Sequence, residues 1–302
     1  METNNEDDEY IIELANTDFD WRSFFNECEE VPYIIHFIFG LMEQSEPFSF
    51  VHYISVLSAY IANPEAKSIY IHYHHTIYGE WWDRLQKEVP CLQLKQIDIP
   101  THIGMKEIKK TAHRADKARM DILWEMGGIY MDMDTISYKS MKPFLKDNTT
   151  LCKQYSLGVN NKKEPIKYIG GICNAIMITK PKSKFFRRWL DAYERAFEPD
   201  KWEEASIWLP LRLAKEFHHE VVVLEPEVFN VPGYWESKKM FDDACFEVPL
   251  CLVALHLCES KSKEYIKRIH GWEWYHENRY TLYGKMMDPC YIKLFRIKYR
   301  IT

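Results

Sequence analysis

No two of the eight cysteines stand in a Cys-x-x-Cys spacing, and they are scattered from Cys28 to Cys290. That argues against a zinc ribbon or a disulfide framework and for reduced thiols. A dense Lys/Arg block is also missing, and the formal net charge is −6, so a nucleic-acid scaffold, which needs a clustered basic face, is disfavoured. No apolar run is long enough to span a bilayer. The opening METNNEDDEY is acidic and polar, without the basic and apolar regions of a secretory signal. With neither signal peptide nor anchor visible, the sequence reads as cytoplasmic. No repeat period or low-complexity linker interrupts it.

What remains is an ordinary globular composition, 46% hydrophobic and 28% charged. VPYIIHFIFG, closed by Gly40, reads as a buried first strand. The stretch through Val51, Ile54, Leu57, Ser58 and Ile61 has helical spacing and stops at Asn63-Pro64, and KSIYIHYHH alternates like a strand. Strand, helix, strand is the start of an α/β sheet. Helical periodicity runs from Met105 to Met126 and ends at Gly127-Gly128, where glycine accommodates a left-handed cap. GIYMDMDTISYK is the next strand, with another candidate around 151–155 followed by a polar loop, LGVNNKKEP. GGICNAIMITKP reads as a strand, SKFFRRWLDAYERAF as a capped helix, and EEASIWLPLRLAKEF as a helix interrupted near Pro210. EVVVLEP and LCLVALHL are late buried strands.

Asp132 and Asp134 close the GIYMDMD strand two positions apart, so alternation sends both carboxylates to one side. Two like charges side by side call for a cation between them. Mg2+ and Mn2+ prefer carboxylate oxygen and complete their shell with phosphate oxygens, and ligands of open α/β sheets collect at strand carboxyl ends. The plain alternative is a solvated strand end. Asp116 and Arg119 sit three apart on the preceding helix and share a face. They are either a surface ion pair or a sugar clamp, the carboxylate accepting from vicinal hydroxyls and the guanidinium donating to hydroxyl or phosphate oxygens. In IHYHHTIYGEWW, His72 and His74 alternate with Tyr73 while His75 points away, which argues against a three-ligand zinc site. HGWEWYHENRY is either a carbohydrate-stacking lid or a helix docked on the core.

RADKARMDILWEMGGIYMDMDTI resembles the sugar-binding region containing the DXD motif of glycosyltransferase family 32, with its α-1,4-galactosyl- and α-1,6-mannosyltransferases, and the glucosyltransferase domain of large clostridial toxins. VPYIIHFIFG is similar to the family's opening strand, with Phe39 where tryptophan is usual; Phe39 then stacks on the nucleotide base or stays a core aromatic. GGICNAIMITKPKSKFF resembles a segment whose central Asn174 is a donor-sugar or acceptor contact, and VALHLCESKS resembles a late motif that makes His256 a metal ligand or pyrophosphate contact. Lys261 is there a mobile charge for the diphosphate. The family's Gly-Pro pair in the acceptor region is only half present, as Pro210.

The resemblance implies a single GT-A type domain, a Rossmann-like mixed α/β sheet flanked by helices. It would span residues 31–262, after an acidic tail and lead-in helix over 1–30 and before a helical, aromatic extension over 263–302. It implies a retaining transfer of a sugar from a nucleoside-diphosphate sugar, UDP-sugars favoured, to a hydroxyl of a glycan, glycolipid or protein, with Mn2+ or Mg2+ as cofactor. Asp134, His256 and Asp132 would hold the metal, or Asp132 would touch ribose and sugar; Asp116 and Arg119 would orient the sugar, and Tyr130, on the strand face of Asp132, would contact the donor. Positioning and metal-assisted departure then carry catalysis without a protein nucleophile. Related transferases often sit in the Golgi behind an anchor. Two rivals stand beside this reading. One is an aspartate-nucleophile phosphatase with Asp132 as nucleophile and Asp242-Asp243 as late metal ligands, although Thr135 falls one position early and Asp116 and Arg119 have no task there. The other is a non-catalytic nucleotide-sugar-binding protein.

Overall fold

The computed structural model describes residues 30–201 and 203–296, so the tail and lead-in helix expected before residue 30 lie outside the described residues. In chain order the elements are β1 (Ile34–Ile38), α1 (Phe50–Ala62), β2 (Ser68–Tyr73), α2 (Glu80–Glu88), β3 (Leu92–Gln96), β4 (His102–Ile103), β5 (Lys106–Glu107), α3 (Thr111–Met126), β6 (Gly128–Met131), β7 (Thr135–Ser137), β8 (Thr149–Val159) and β9 (Pro165–Thr179). There follow α4 (Lys184–Ala196), α5 (Leu209–Glu216), β10 (Val222–Leu224), α6 (Ser237–Phe241), β11 (Ala254–His256), α7 (Glu259–Ile266), α8 (Trp272–Asn278) and α9 (Leu282–Tyr291). This is the mixed α/β class that the alternation of strand and helix patterns predicts. The chain forms two interleaved compact units, and it passes from one to the other between Tyr130 and Met131.

One unit comprises residues 34–97 and 131–143 with the described residues from 227 on. Its strands β1, β2 and β3 pair in parallel, Ile34 with Ser68 and Ile69 with Leu92. Helix α1 starts where Ser49 Oγ accepts the His52 N–H at 3.2 Å, and it ends at Asn63 before Pro64, as the sequence predicts. Its inner face carries small polar groups among the apolar ones. Ser58 Oγ accepts the Ser137 N–H at 3.0 Å, Ser55 Oγ lies 3.3 Å from Thr135 Oγ1, and Asn63 Oδ1 accepts the Met141 N–H at 2.8 Å. These bonds tie down β7 and the segment after it. Strand β7 pairs antiparallel with β11, His256 opposite Thr135. The aromatic stretch after Gly271 packs as core: Trp272 is buried, its ring 5.2 Å from Phe50 and 5.8 Å from Tyr291. Burying such a ring contributes about 2–3 kcal/mol.

The other unit comprises the described residues up to 33 with 98–130 and 144–226. Strand order is β10-β8-β9-β6, with β8 and β9 antiparallel and β10 parallel to β8. Helix α3 begins at Thr111 and not at Met105, because Gly104, at φ 57°, turns β4 back on β5 first. It ends as expected at Gly127, whose φ is 61° and whose missing Cβ would lie 2.5 Å from Pro181. The β8 strand is longer than the sequence suggests: cross-strand pairing of Leu157 with Lys167 and Val159 with Pro165 carries it through the segment read as loop, leaving a turn at 160–164. A π-helical turn, Glu204–Trp208, precedes α5, and Pro210 falls in the first turn of α5, where a missing N–H costs nothing. Phe185, Phe186 and Trp189 of α4 are fully buried. Seven cysteines among the described residues are unbridged.

Candidate functional site

Strand β6 ends at Met131, one residue short of the first aspartate, and β7 resumes at Thr135. Asp132 and Asp134 therefore occupy a turn between two strands, not the end of one continuous strand. The break has a local cause: Thr135 Oγ1 donates to the Asp132 carbonyl at 2.8 Å, curling the backbone after Met131. Antiparallel pairing of β7 with β11 then delivers His256 to the same place. Asp132, Asp134 and His256 each offer a ligand atom, and all three atoms lie within 4.8 Å of one another. A hard divalent cation bonded at about 2.1 Å holds opposite ligand atoms about 4.2 Å apart. The donor set, two carboxylates and an imidazole, suits such an ion after a small closure.

Asp134 is held from several sides. Its Oδ2 accepts the Glu259 N–H at 2.6 Å and lies 3.3 Å from His256 Nε2, while its carbonyl accepts the Leu257 N–H at 2.8 Å. Burial by itself raises the Asp134 carboxyl, but the charge and hydrogen bond of His256, the Glu259 N–H at the start of α7 and the nearby His52 outweigh it and hold the group well below the usual carboxylate range. His52 Nε2 faces the Glu259 carboxylate at 3.3 Å, and His256 Nδ1 lies 3.5 Å from Cys258 Sγ. Phe39 is half-buried, edge-on to Phe48 at 5.0 Å and to His52 at 5.1 Å. Lys261 is exposed on α7. Sequence reasoning missed His52 and Glu259: His52 lies in no motif, Glu259 stands unremarked inside VALHLCESKS, and only the fold makes them neighbours across 207 positions.

In the other unit a second polar cluster is buried. Asn174 Nδ2 donates to Asp116 Oδ1 at 2.8 Å, and the Asn174 carbonyl accepts from Arg119 Nη1 at 2.8 Å. Arg119 Nε also donates to the Ala115 carbonyl at 3.3 Å and stands 3.6 Å from Asp116 Oδ1. The guanidinium lies over the buried Tyr130 ring, 4.8 Å from its centre, a cation–π contact. Asp116 and Arg119 are thus not an exposed ion pair. Tyr193, unremarked in the sequence, hydrogen-bonds to Asp116, and burial followed by that carboxylate's charge raises its phenol. Elsewhere the late aspartates of the phosphatase reading are engaged otherwise: Asp242 accepts from Arg268 Nη2 at 2.7 Å and Asp243 from the Cys245 N–H at 2.9 Å. Neither belongs to the carboxylate–imidazole group. The paired histidines also fall outside it. His36 Nδ1 and His72 Nε2 lie 3.0 Å apart in the parallel sheet, fully buried.

An α/β chain thus brings Asp-x-Asp and a histidine together, and comparison with known proteins gives the class, a glycosyltransferase. Residues 41–155 match the family described as glycosyltransferase sugar-binding region containing DXD motif, which supports a glycosyltransferase. Asp116, Arg119, Tyr130, Asp132 and Asp134 fall inside the matched region; Phe39, Asn174, His256 and Lys261 fall outside it. A curated relative, glucan organizing enzyme 1 of Cryptococcus neoformans var. grubii, is 34% identical over 207 residues, which are 67% of this chain. The chain spans about half of that relative, 54% of its length. Among solved structures, mouse xyloside xylosyltransferase 1 is similar with a TM-score of 0.45 at 11% identity, covering 74% of this chain and 96% of that one. The bifunctional glycosyltransferase WbbM has a TM-score of 0.44 at 13% identity, over 87% of this chain and 53% of that one.

Proposed function

We propose that the protein transfers a sugar from a nucleoside-diphosphate sugar, UDP-sugars favoured, to an acceptor hydroxyl, with retention of anomeric configuration and a bound Mn2+ or Mg2+. The observation that carries the reading is the convergence of Asp132, Asp134 and His256 within 4.8 Å. These three residues would hold the ion, which when bound supplies positive charge to a departing diphosphate. The Glu259 N–H orients the Asp134 carboxylate before any ligand arrives. Phe39 offers an aromatic edge for the base, and Lys261 an exposed ammonium for phosphate oxygens. Asp116, oriented by Asn174 and Arg119, accepts from sugar hydroxyls. Arg119 spends donors on two backbone carbonyls, which makes its part the rigid support of Asp116. Tyr130 supports Arg119 from below in the same way. Preorganised acceptors and donors of this kind act by orientation and need no protein nucleophile.

The catalytic region in this reading spans 31–262, with 263–302 as an extension. The name of the fungal relative makes glucan chains the first acceptors to try. The test is a panel of UDP- and GDP-sugars with Mn2+ or Mg2+, scoring donor hydrolysis without acceptor on the parent protein and on Asp134→Asn. Metal-dependent hydrolysis of one donor, reduced at least about a hundredfold in the variant, supports the assignment. Equal hydrolysis by both proteins refutes the metal assignment, and donor binding without turnover would replace transfer by a binding role.

A further inference from the structure

Beyond Gln154 the β8–β9 pair is exposed on both faces. Leu157, Val159, Ile166 and Tyr168 keep 47%, 69%, 39% and 41% of their surface in solvent. Residues directly opposite share a face, so Leu157 with Lys167 and Val159 with Pro165 line one side, and Gly158 with Ile166 and Ser156 with Tyr168 line the other. The tip is built: Asn160 Oδ1 accepts the N–H groups of Lys162 and Glu164 at 2.9 and 3.0 Å, and its Nδ2 donates to Glu164 Oε2 at 2.7 Å. That closed turn presents Lys162 and Lys163 outward, and Lys167 lies over the Tyr155 ring at 4.1 Å. Over residues 154–168 three lysines stand against one glutamate, in a chain whose net charge is −6.

An exposed apolar patch of this kind marks a surface that meets something. A partner protein covers one face of a hairpin, whereas here both faces are apolar, which suits a medium that surrounds the arm. The lysines set a second copy of the arm at a disadvantage through like-charge repulsion. We propose that this hairpin docks the chain on an anionic lipid bilayer. Leu157, Val159, Ile166 and Tyr168 enter the headgroup boundary, and Lys162, Lys163 and Lys167 meet acidic headgroups, their stems lying along the apolar surface. The contact is shallow, because β10 accompanies β8 only over Thr150–Cys152 and the outer backbone groups beyond need water. Among the described residues no helix is long and apolar enough to cross a membrane, so the hairpin acts as a peripheral contact.

The test is co-sedimentation of the full chain with vesicles of phosphatidylcholine, with and without phosphatidylserine, in chelator and without sugar nucleotide, so its outcome is separate from that of the transfer assay. Expected are binding that requires phosphatidylserine and weakens with salt, a loss of at least about tenfold on combining Lys162→Glu, Lys163→Glu and Lys167→Glu, and a loss of about tenfold for Leu157→Ser with Val159→Ser. Thermal melting checks that the exposed substitutions leave the fold intact, and the lipid and salt dependence of the parent protein decides the matter without them. No binding, equal binding to neutral vesicles, or full binding by the lysine variant overturns the proposal. So does a dimer in sedimentation equilibrium that Leu157→Ser abolishes, or binding to polyglutamate as tight as to the vesicles.

Discussion

Replacing Asp134 by asparagine is the sharpest perturbation of the proposed centre. The side chain keeps its shape and one oxygen, so the Glu259 N–H, 2.6 Å from Oδ2, still has an acceptor available. What goes is the charge, one of two carboxylates in a three-ligand set. Ligand support of lesser rank is worth about 10–100-fold in metal affinity, so losing a ligand charge weakens binding by about a hundredfold or more. A cation at about a hundred times its dissociation constant stabilises the parent by about 2.7 kcal/mol, while the same concentration stabilises the variant by about 0.4 kcal/mol. At roughly 2 °C per kcal/mol for a chain of this size, Mn2+ raises the parent's melting temperature by about 5 °C and the variant's by about 1 °C or less. Differential scanning fluorimetry with a Mn2+ series measures both, and Ca2+ at equal ionic strength controls for screening. A variant that gains the full shift would show that the ion binds elsewhere and would refute the three-ligand centre.

Three further outcomes follow from the geometry. Arg119→Met leaves the buried Asp116 carboxylate without its guanidinium and two carbonyls without a donor, so urea unfolding should show a loss of about 3 kcal/mol; less than about 1 kcal/mol would mean the pair is dispensable. His72 stays neutral in the fold because burial, then His36 and Lys95, lower its pKa to about 3 from 6.5. The unfolded chain thus binds the extra proton, and the stability from this group is full above about pH 6.5 and is lost as the pH falls toward about 3; at about pH 5 the loss is about 2 kcal/mol, and His72→Phe should flatten that slope in denaturant titrations. Gly127→Ala puts a methyl 2.5 Å from Pro181 at a φ of 61°, and a cost of about 3 kcal/mol is expected in the same titrations.

How much of this was legible beforehand depends on the range over which each feature is determined. Gly127 ends α3, Ser183 caps α4 and Asn63-Pro64 stops α1 through groups a few residues apart, and short-range chemistry of this kind is written in the sequence. The three-residue spacing of Asp116 and Arg119 is likewise a helix property. Their burial is not, because Asn174 and Tyr130 enclose them from other strands, and the expectation of an ion pair or a clamp open to ligand missed the backbone carbonyls that occupy Arg119. The polar loop expected after Tyr155 failed for a related reason. Its polar letters describe solvent exposure correctly, but exposure and strand conformation coexist in a hairpin whose register is fixed by the partner strand.

The aspartate pair shows the same division most clearly. Period-two alternation placed both carboxylates on one strand face, yet the strand stops at Met131, and what brings the groups together is a turn. That turn is held by Thr135 and by Ser55 and Ser58, residues that an apolar-periodicity reading counts only as gaps or small fillers in a helix face. Their hydroxyls give β7 and the turn before it the hydrogen bonds that a continuous strand would otherwise have found in a neighbour. The turn in turn presents the Asp134 carbonyl to Leu257 and its carboxylate to Glu259, which positions the start of α7 and, three residues earlier, His256. A ligand set assembled by a helix face, a turn and a distant strand end leaves only its two aspartates in one sequence motif. His256 was named from its likeness to a late family motif, whereas its place beside the aspartates, and the groups that surround them, become readable once β7 and β11 are known to pair.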